Sequence, residues 1–149
     1  MTHEEIQKEV ETLIRSRPWF GERGYAPVLE SSGSLDEELE AALRDGEGCA
    51  ILVSVGAFDP ETTDSETAVG ALEVRCAVAE NPPLNRARPG WASASQAAEY
   101  LASWLNLKRV GGETLYKPAV KPDHTPELLR HTVTLKLNHA LEAAPDNQE

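Results

Sequence analysis

The sequence predicts an α+β domain, a mainly antiparallel β-sheet covered by about three helices. Three stretches carry that expectation. In Gly70–Glu80, Leu72, Val74, Cys76 and Val78 alternate with Glu73, Arg75, Ala77 and Ala79, the period-two pattern of a strand with one buried and one wetter face. Cys49–Phe58 is apolar on both faces, as a central, covered strand is. His131–His139 alternates again, with Val133, Leu135 and Leu137 against Thr132, Thr134 and Lys136. Helix-periodic segments lie between them, and the predicted order is helix, short strand, helix, strand, strand, helix, hairpin, strand.

The first helix is expected over His3–Arg17. Ile6, Val10, Leu13 and Ile14 fall on one side, Thr2 and Glu5 form a capping box, and Pro18 and Gly21 close the segment. Trp19, Phe20 and Tyr25 then cluster in a connector, read as aromatics packing the helix onto the sheet. Ala26–Glu30 reads as a short edge strand, because Pro27 has no N–H to give to a ladder. A second helix begins at Ser34, with Glu37 completing a capping box and Leu35, Leu39, Ala42 and Leu43 facing inward; Gly46 and Gly48 stop it. The third helix covers Ala94–Leu105 behind Ser93 and Gln96, with Ala97, Tyr100, Leu101, Trp104 and Leu105 as its apolar stripe. Gly111-Gly112, between two short β-prone runs, signals a tight hairpin. Pro118, Pro122 and Pro126 predict an extended loop after it.

Residues 1–142 read as one domain, and the polar residues 143–149 as a disordered tail. Hydrophobic residues make up 40% of the chain and charged residues 26%, ordinary for a soluble globular protein. No apolar run reaches the roughly 20 residues of a membrane helix, and the acidic, amphipathic start is unlike a signal peptide. The expected location is the cytoplasm, with no membrane partner. Net charge is −11, and residues 1–48 hold 12 acids against 5 bases. Such a surface repels phosphate backbones, so direct nucleic-acid binding is disfavoured.

No phosphate-binding glycine loop, nucleophile elbow or helical histidine pair is present in the sequence. The expectation is a chain with no catalytic residues, cofactor or metal. His131 and His139 lie about 26 Å apart at ~3.3 Å per strand residue, too far to share an ion. His3 and His124 have no partner evident from sequence. Cys49 and Cys76 both fall in predicted strands and read as small buried hydrophobes, reduced and slow to react.

Two segments read as docking loops. Asp59–Thr67 is polar apart from Pro60, and its acids Asp59, Glu61, Asp64 and Glu66 invite a calcium reading. It lacks the glycine and the terminal glutamate of an EF-hand loop, so a solvated hairpin loop is expected instead. Asn81–Trp91 holds three prolines and a glycine, which predict irregular structure. Within it, Asn85, Arg86 and Arg88 are candidate docking residues, and charge reversal of the two arginines is expected to leave folding intact.

The element order resembles small phage neck and tail proteins of the tail-terminator or tail-completion kind. The features that carry the resemblance are the first helix, the strand Cys49–Phe58, the acidic hairpin loop and the strand Leu72–Glu80 running into Glu80-Asn81-Pro82. Asn85-Arg86, a helix and the last strand HTVTLKLNHA complete it. The resemblance covers most of the chain, with one short local motif. It implies a virion structural protein without a catalytic site, a homo-oligomeric ring, commonly hexameric, that docks on tail-tube or neck proteins. An unrelated cytoplasmic adaptor, or an enzyme of unrecognised type, is the alternative.

Overall fold

The computed structural model describes residues 1–62 and 68–142. Its centre is a five-stranded sheet. The strands are β1 (Pro27–Leu29), β2 (Cys49–Thr62), β3 (Val69–Glu80), β6 (Tyr116–Pro122) and β7 (Leu129–Ala140), in the order β1-β2-β3-β7-β6. β1 runs parallel to β2, and every other pairing is antiparallel. A separate two-stranded ribbon joins β4 (Arg109–Val110) to β5 (Glu113–Thr114) across Gly111-Gly112, as the double glycine predicts. The middle strand is β3, with β2 second from the edge.

The helices are α1 (His3–Arg15), α2 (Pro18–Glu22), α3 (Leu35–Asp45), α4 (Pro82–Asn85) and α5 (Ala94–Leu105). α1 and α5 cover one face. Ile6, Val10 and Ile14 from α1, with Ala97, Leu101 and Leu105 from α5, pack on Val53, Val74, Cys76 and Leu135. Four alanines along α5 let it lie close to the sheet. On the other face α3 covers one end, where Leu39, Ala42 and Leu43 meet Ala50, Leu52, Ala77 and Ala79. That double cover is why the first half of β2 is apolar on both sides.

The capping signals hold in part. Thr2 and Glu5 bond reciprocally, and Ser93 accepts from the Gln96 N–H. Ser34 makes no capping bond; instead the Glu38 carboxylate accepts from the Ser31 and Ser32 N–H groups and fixes the turn before α3.

Four elements differ from the sequence expectation, three of them through proline. The first helix ends at Arg15, and Pro18 opens α2 rather than closing α1. Pro82 and Pro83 begin α4 inside the segment predicted to be irregular. In both places proline occupies the first turn, where its missing N–H has no helical partner to lose. The expected loop through Pro118 and Pro122 is the edge strand β6, where outward positions need no donor. The fourth difference is the acidic loop. β2 continues through Thr62 and β3 begins at Val69, so Asp59 and Glu61 are strand residues. Gly70 makes this extension possible, since a Cβ there would sit 2.0 Å from the Asp59 carbonyl oxygen. Asp64, Glu66 and the tail 143–149 lie outside the described residues.

Candidate functional site

The short motif Glu80-Asn81-Pro82 with Asn85-Arg86 folds into a buried polar clamp. β3 ends at Glu80 and α4 ends at Asn85, and both side chains are fully buried. The Glu80 carboxylate accepts from the Ala94 N–H at 2.7 Å, from Asn85 Nδ2 at 2.9 Å, and from Arg86 Nε and Nη2 at 3.2 Å each. Asn85 Nδ2 also donates to the Ala92 carbonyl at 2.9 Å, and Asn85 Oδ1 accepts from Cys49 Sγ at 2.7 Å. The Tyr25 hydroxyl donates to the same Ala92 carbonyl at 2.7 Å. One cluster thereby ties β2, β3, α4 and the start of α5 together.

Burial works against the Glu80 charge, but the bonds from Arg86, Asn85 and Ala94 outweigh it and hold the carboxyl below its ordinary range. Burial raises the Tyr25 hydroxyl, and pushes the Cys49 thiol up to about 11. A carboxylate ionised at neutral pH and held by four donors is a structural anchor, not a proton carrier. Cys76, under the helices, is pushed up to about 12 by burial, so neither free thiol is activated.

Asn85 therefore offers no surface to a partner. The two arginines are not merely solvated either. Arg86 is ion-paired with Glu80 and stacks over the Trp91 ring at 4.7 Å. Arg88 Nη2 donates to the carbonyls of Gly46 and Glu47, passing over Gly24, where a Cβ would meet the guanidinium at 2.1 Å. Both side chains hold the loop on the body, so charge reversal here is expected to disturb the fold, where sequence alone led to the expectation that folding survives it.

Each of the histidines at the ends of β7 has a companion that sequence did not reveal. His139 lies 5.1 Å from His3 and edge-on to Phe58 at 5.8 Å; His131 lies 4.9 Å from His124, whose Nδ1 accepts from the Arg130 N–H. Burial first, and the neighbouring histidine second, lowers the pKa of both His131 and His139. Among the described residues no three histidine, cysteine, aspartate or glutamate side chains gather in a way that holds a metal ion.

A groove of about 410 Å³ lies where α2 meets α5. Arg17, Trp19, Phe20, Tyr100, Ser103 and Trp104 line it. Trp19 meets Tyr100 edge-on at 4.7 Å, and Trp104 Nε1 donates to the Leu13 carbonyl at 2.9 Å, so the floor is fixed. Cations lie over its rings: Arg17 5.2 Å and Lys108 3.9 Å from the Trp104 centroid, and Arg23 4.5 Å from Trp19. Sequence placed Tyr100 and Trp104 in the core stripe, but Tyr100 is 48% exposed. The available signal was spacing, because Trp19–Arg23 and Trp104–Lys108 are both four residues apart.

At the other end of α1, β2 and β3 run out past His3, and Asp59 and Glu61 stand exposed there. On the part of the second sheet face that α3 leaves open, Glu73, Arg75, Lys121, Asp123, Thr132 and Thr134 line a depression of about 430 Å³. Among the described residues no helix is long and apolar enough to cross a membrane.

No protein-family model and no curated protein sequence matches the chain. Among solved structures, it is similar to a chain of the virion of a native gene transfer agent particle. The two are 16% identical, the match covers 87% of this chain and 90% of the other, and the TM-score is 0.51. A second solved chain aligns over 91% of this one and 98% of itself, with 18% identity and a TM-score of 0.36, too low for a shared fold.

Proposed function

We propose that the chain is a non-catalytic structural protein of a phage-like virion, of the tail-terminator or head–tail connection type. It acts by closing into a homo-oligomeric ring and docking on the end of a tail tube. The observation that carries this reading is the fold shared, over most of both chains, with a component of a gene transfer agent virion. The element order that sequence alone likened to tail-completion proteins supports it independently.

The geometry fits assembly better than turnover. In the interior, Glu80 is locked in hydrogen bonds, and the Tyr25 hydroxyl and the Cys76 thiol are raised far from neutrality, which suits a rigid body. The chemistry that remains at the surface is aromatic, cationic and acidic, placed at the ends of elements where a neighbour can reach it. The acidic balance keeps such a ring from gripping DNA that passes through it.

Electron microscopy of the purified protein, alone and with isolated tail tubes, tests the proposal. Rings with an open lumen, or density capping one tube end, are expected. A protein that stays monomeric at all concentrations and ignores tubes would overturn it.

A further inference from the structure

The groove between α2 and α5 carries charge that the chain itself does not use. Arg17 and Lys108 lie 5.2 Å and 3.9 Å from the Trp104 ring centroid, and neither forms an ion pair among the described residues. A cation over an indole face is held in place by the ring and keeps its N–H donors for an acceptor. Glu22, 3.9 Å from Arg23, offsets the third cation, and Glu99 neighbours Tyr100 on α5. The uncompensated charge of the groove is therefore the pair Arg17 and Lys108.

We propose that the groove receives a short acidic segment of a tail-tube protein, with an apolar side chain against Trp19, Tyr100 and Trp104 and carboxylates on Arg17 and Lys108. The inference rests on the virion reading above and names the surface and the chemistry by which docking is made. The lining sets the chemistry of the occupant. Unpaired cations call for an anion, and the rings beneath them call for apolar contact. A cleft of about 410 Å³ accepts a few side chains, which is a segment and not a domain. Tyr100 meets Trp19 edge-on, and Trp104 is bonded to the Leu13 carbonyl, so little side-chain freedom is lost on docking.

The described residues of a second copy offer no such segment. Of the exposed large apolar side chains outside the groove, only Val28 and Leu141 have a described acid within two positions, Glu30 and Glu142. Both carboxylates are engaged, Glu30 by the Gly33 N–H and Glu142 by the Met1 amine. Nucleic acid fits the groove less well. Cations already cover indole faces that a base would need for stacking, and a net charge of −11 repels a long phosphate chain.

Fluorescence anisotropy tests this with a short labelled synthetic peptide, one phenylalanine flanked on both sides by glutamates. Saturable binding is expected, and it should weaken as salt rises. Arg17→Glu/Lys108→Glu in the protein, or glutamine for every glutamate in the peptide, should each weaken it at least about tenfold, since the charge match is then lost. Lys8→Glu/Arg44→Glu makes the same charge change away from the groove and should bind like wild type. Isolated tail tubes should displace the peptide from the wild type. Thermal melting confirms that the variants fold; if the groove pair does not fold, Tyr100→Ser, at a half-exposed position, replaces it with the same direction of change.

No binding, equal binding by the groove variant, or equal binding of the glutamine peptide would overturn the inference and leave the ring proposal standing. An oligothymidylate that binds more tightly than the peptide would give the groove to single-stranded nucleic acid. Self-association in sedimentation velocity that the groove variant abolishes would give it to a second copy. Either result overturns the tail-tube segment, as do tubes that bind the wild type but leave the peptide in place. A wild type that holds the peptide yet neither forms rings nor binds tubes removes the virion reading, and the proposed source of the segment with it.

Discussion

Glu80→Gln changes one charge and almost no volume, so it isolates what the buried clamp contributes. In the wild type the carboxylate accepts from two fully buried donors, the Ala94 N–H and Asn85 Nδ2, and from Arg86. A glutamine presents one oxygen and one NH₂, and the NH₂ meets a donor in at least one of these places. Hydrogen bonds to a charged group contribute roughly 1.5–3 kcal/mol each, and a buried group left without its partner costs about 1–3 kcal/mol. The Arg86 pair adds under about 1 kcal/mol, because its guanidinium is 40% exposed and screened. The expected loss is therefore about 3 kcal/mol from a total of the order of 5–15 kcal/mol, or roughly 6–12 °C in Tm for a chain of this size. Calorimetry at pH 7 measures it.

The pH dependence gives that experiment a second arm. The folded pKa of Glu80 is depressed, so its stabilisation is complete above the unfolded value of about 4.3 and is lost as pH falls through the folded value. The gap between wild type and Glu80→Gln should close on acidification below about pH 4. A Tm change under about 2 °C at pH 7, or a gap that does not depend on pH, would refute the view that an ionised Glu80 anchors this corner.

Native Cys49 and Cys76, with pKa values pushed to about 11 and 12 by burial, should label with a thiol reagent only as fast as the protein opens; rapid labelling of either breaks the assignment. Gly70→Ala should cost about 1–3 kcal/mol, since its new Cβ meets the Asp59 carbonyl within 2.0 Å, whereas Gly33→Ala, with open space around it and only its positive φ to strain, should cost less. His139 has a folded pKa lowered by burial, so wild-type stability should decline as pH drops below about 6.5, and His139→Gln should flatten that limb in a urea-denaturation series; an unchanged slope between pH 7 and 5 counts against it.

What was legible in the sequence was what depends on period and local chemistry. The alternation of Leu72, Val74, Cys76 and Val78 placed β3, and the third helix was bounded at Ala94 and Leu105 as found. Proline misled in a consistent way. Its cost depends on whether the missing N–H would have had a partner, and that is a tertiary fact at Pro18, Pro82 and Pro122. Asn85 was read as a docking residue, and Glu80 only as part of a local motif, because sequence shows polar residues in a loop and cannot show that four elements close over them. The groove was hidden for the opposite reason. Trp104 and Tyr100 fall on an apolar stripe, and only the packing of α2 against α5 leaves one side of that stripe open.

The two sheet edges decide which kind of assembly this body permits. β1 has three residues and begins at Pro27, and β6 carries Pro118 and Pro122 with a pairing irregularity between Tyr116 and Ala119, where Lys117 takes φ 57°. A short strand, prolines and a bulge each remove the flat ladder of free N–H and C=O groups that strand addition requires. Copies of this chain are thus poor templates for one another through the backbone, and open-ended sheet growth is blocked at both edges. In the proposed ring, contact between copies is therefore left to side chains, where it is directional. A contact of that kind sets a fixed rotation between neighbours, and a fixed rotation either closes after a few copies or winds into a filament. The proposed terminator role needs the first outcome, and blunted edges remove open-ended strand addition as a competing route.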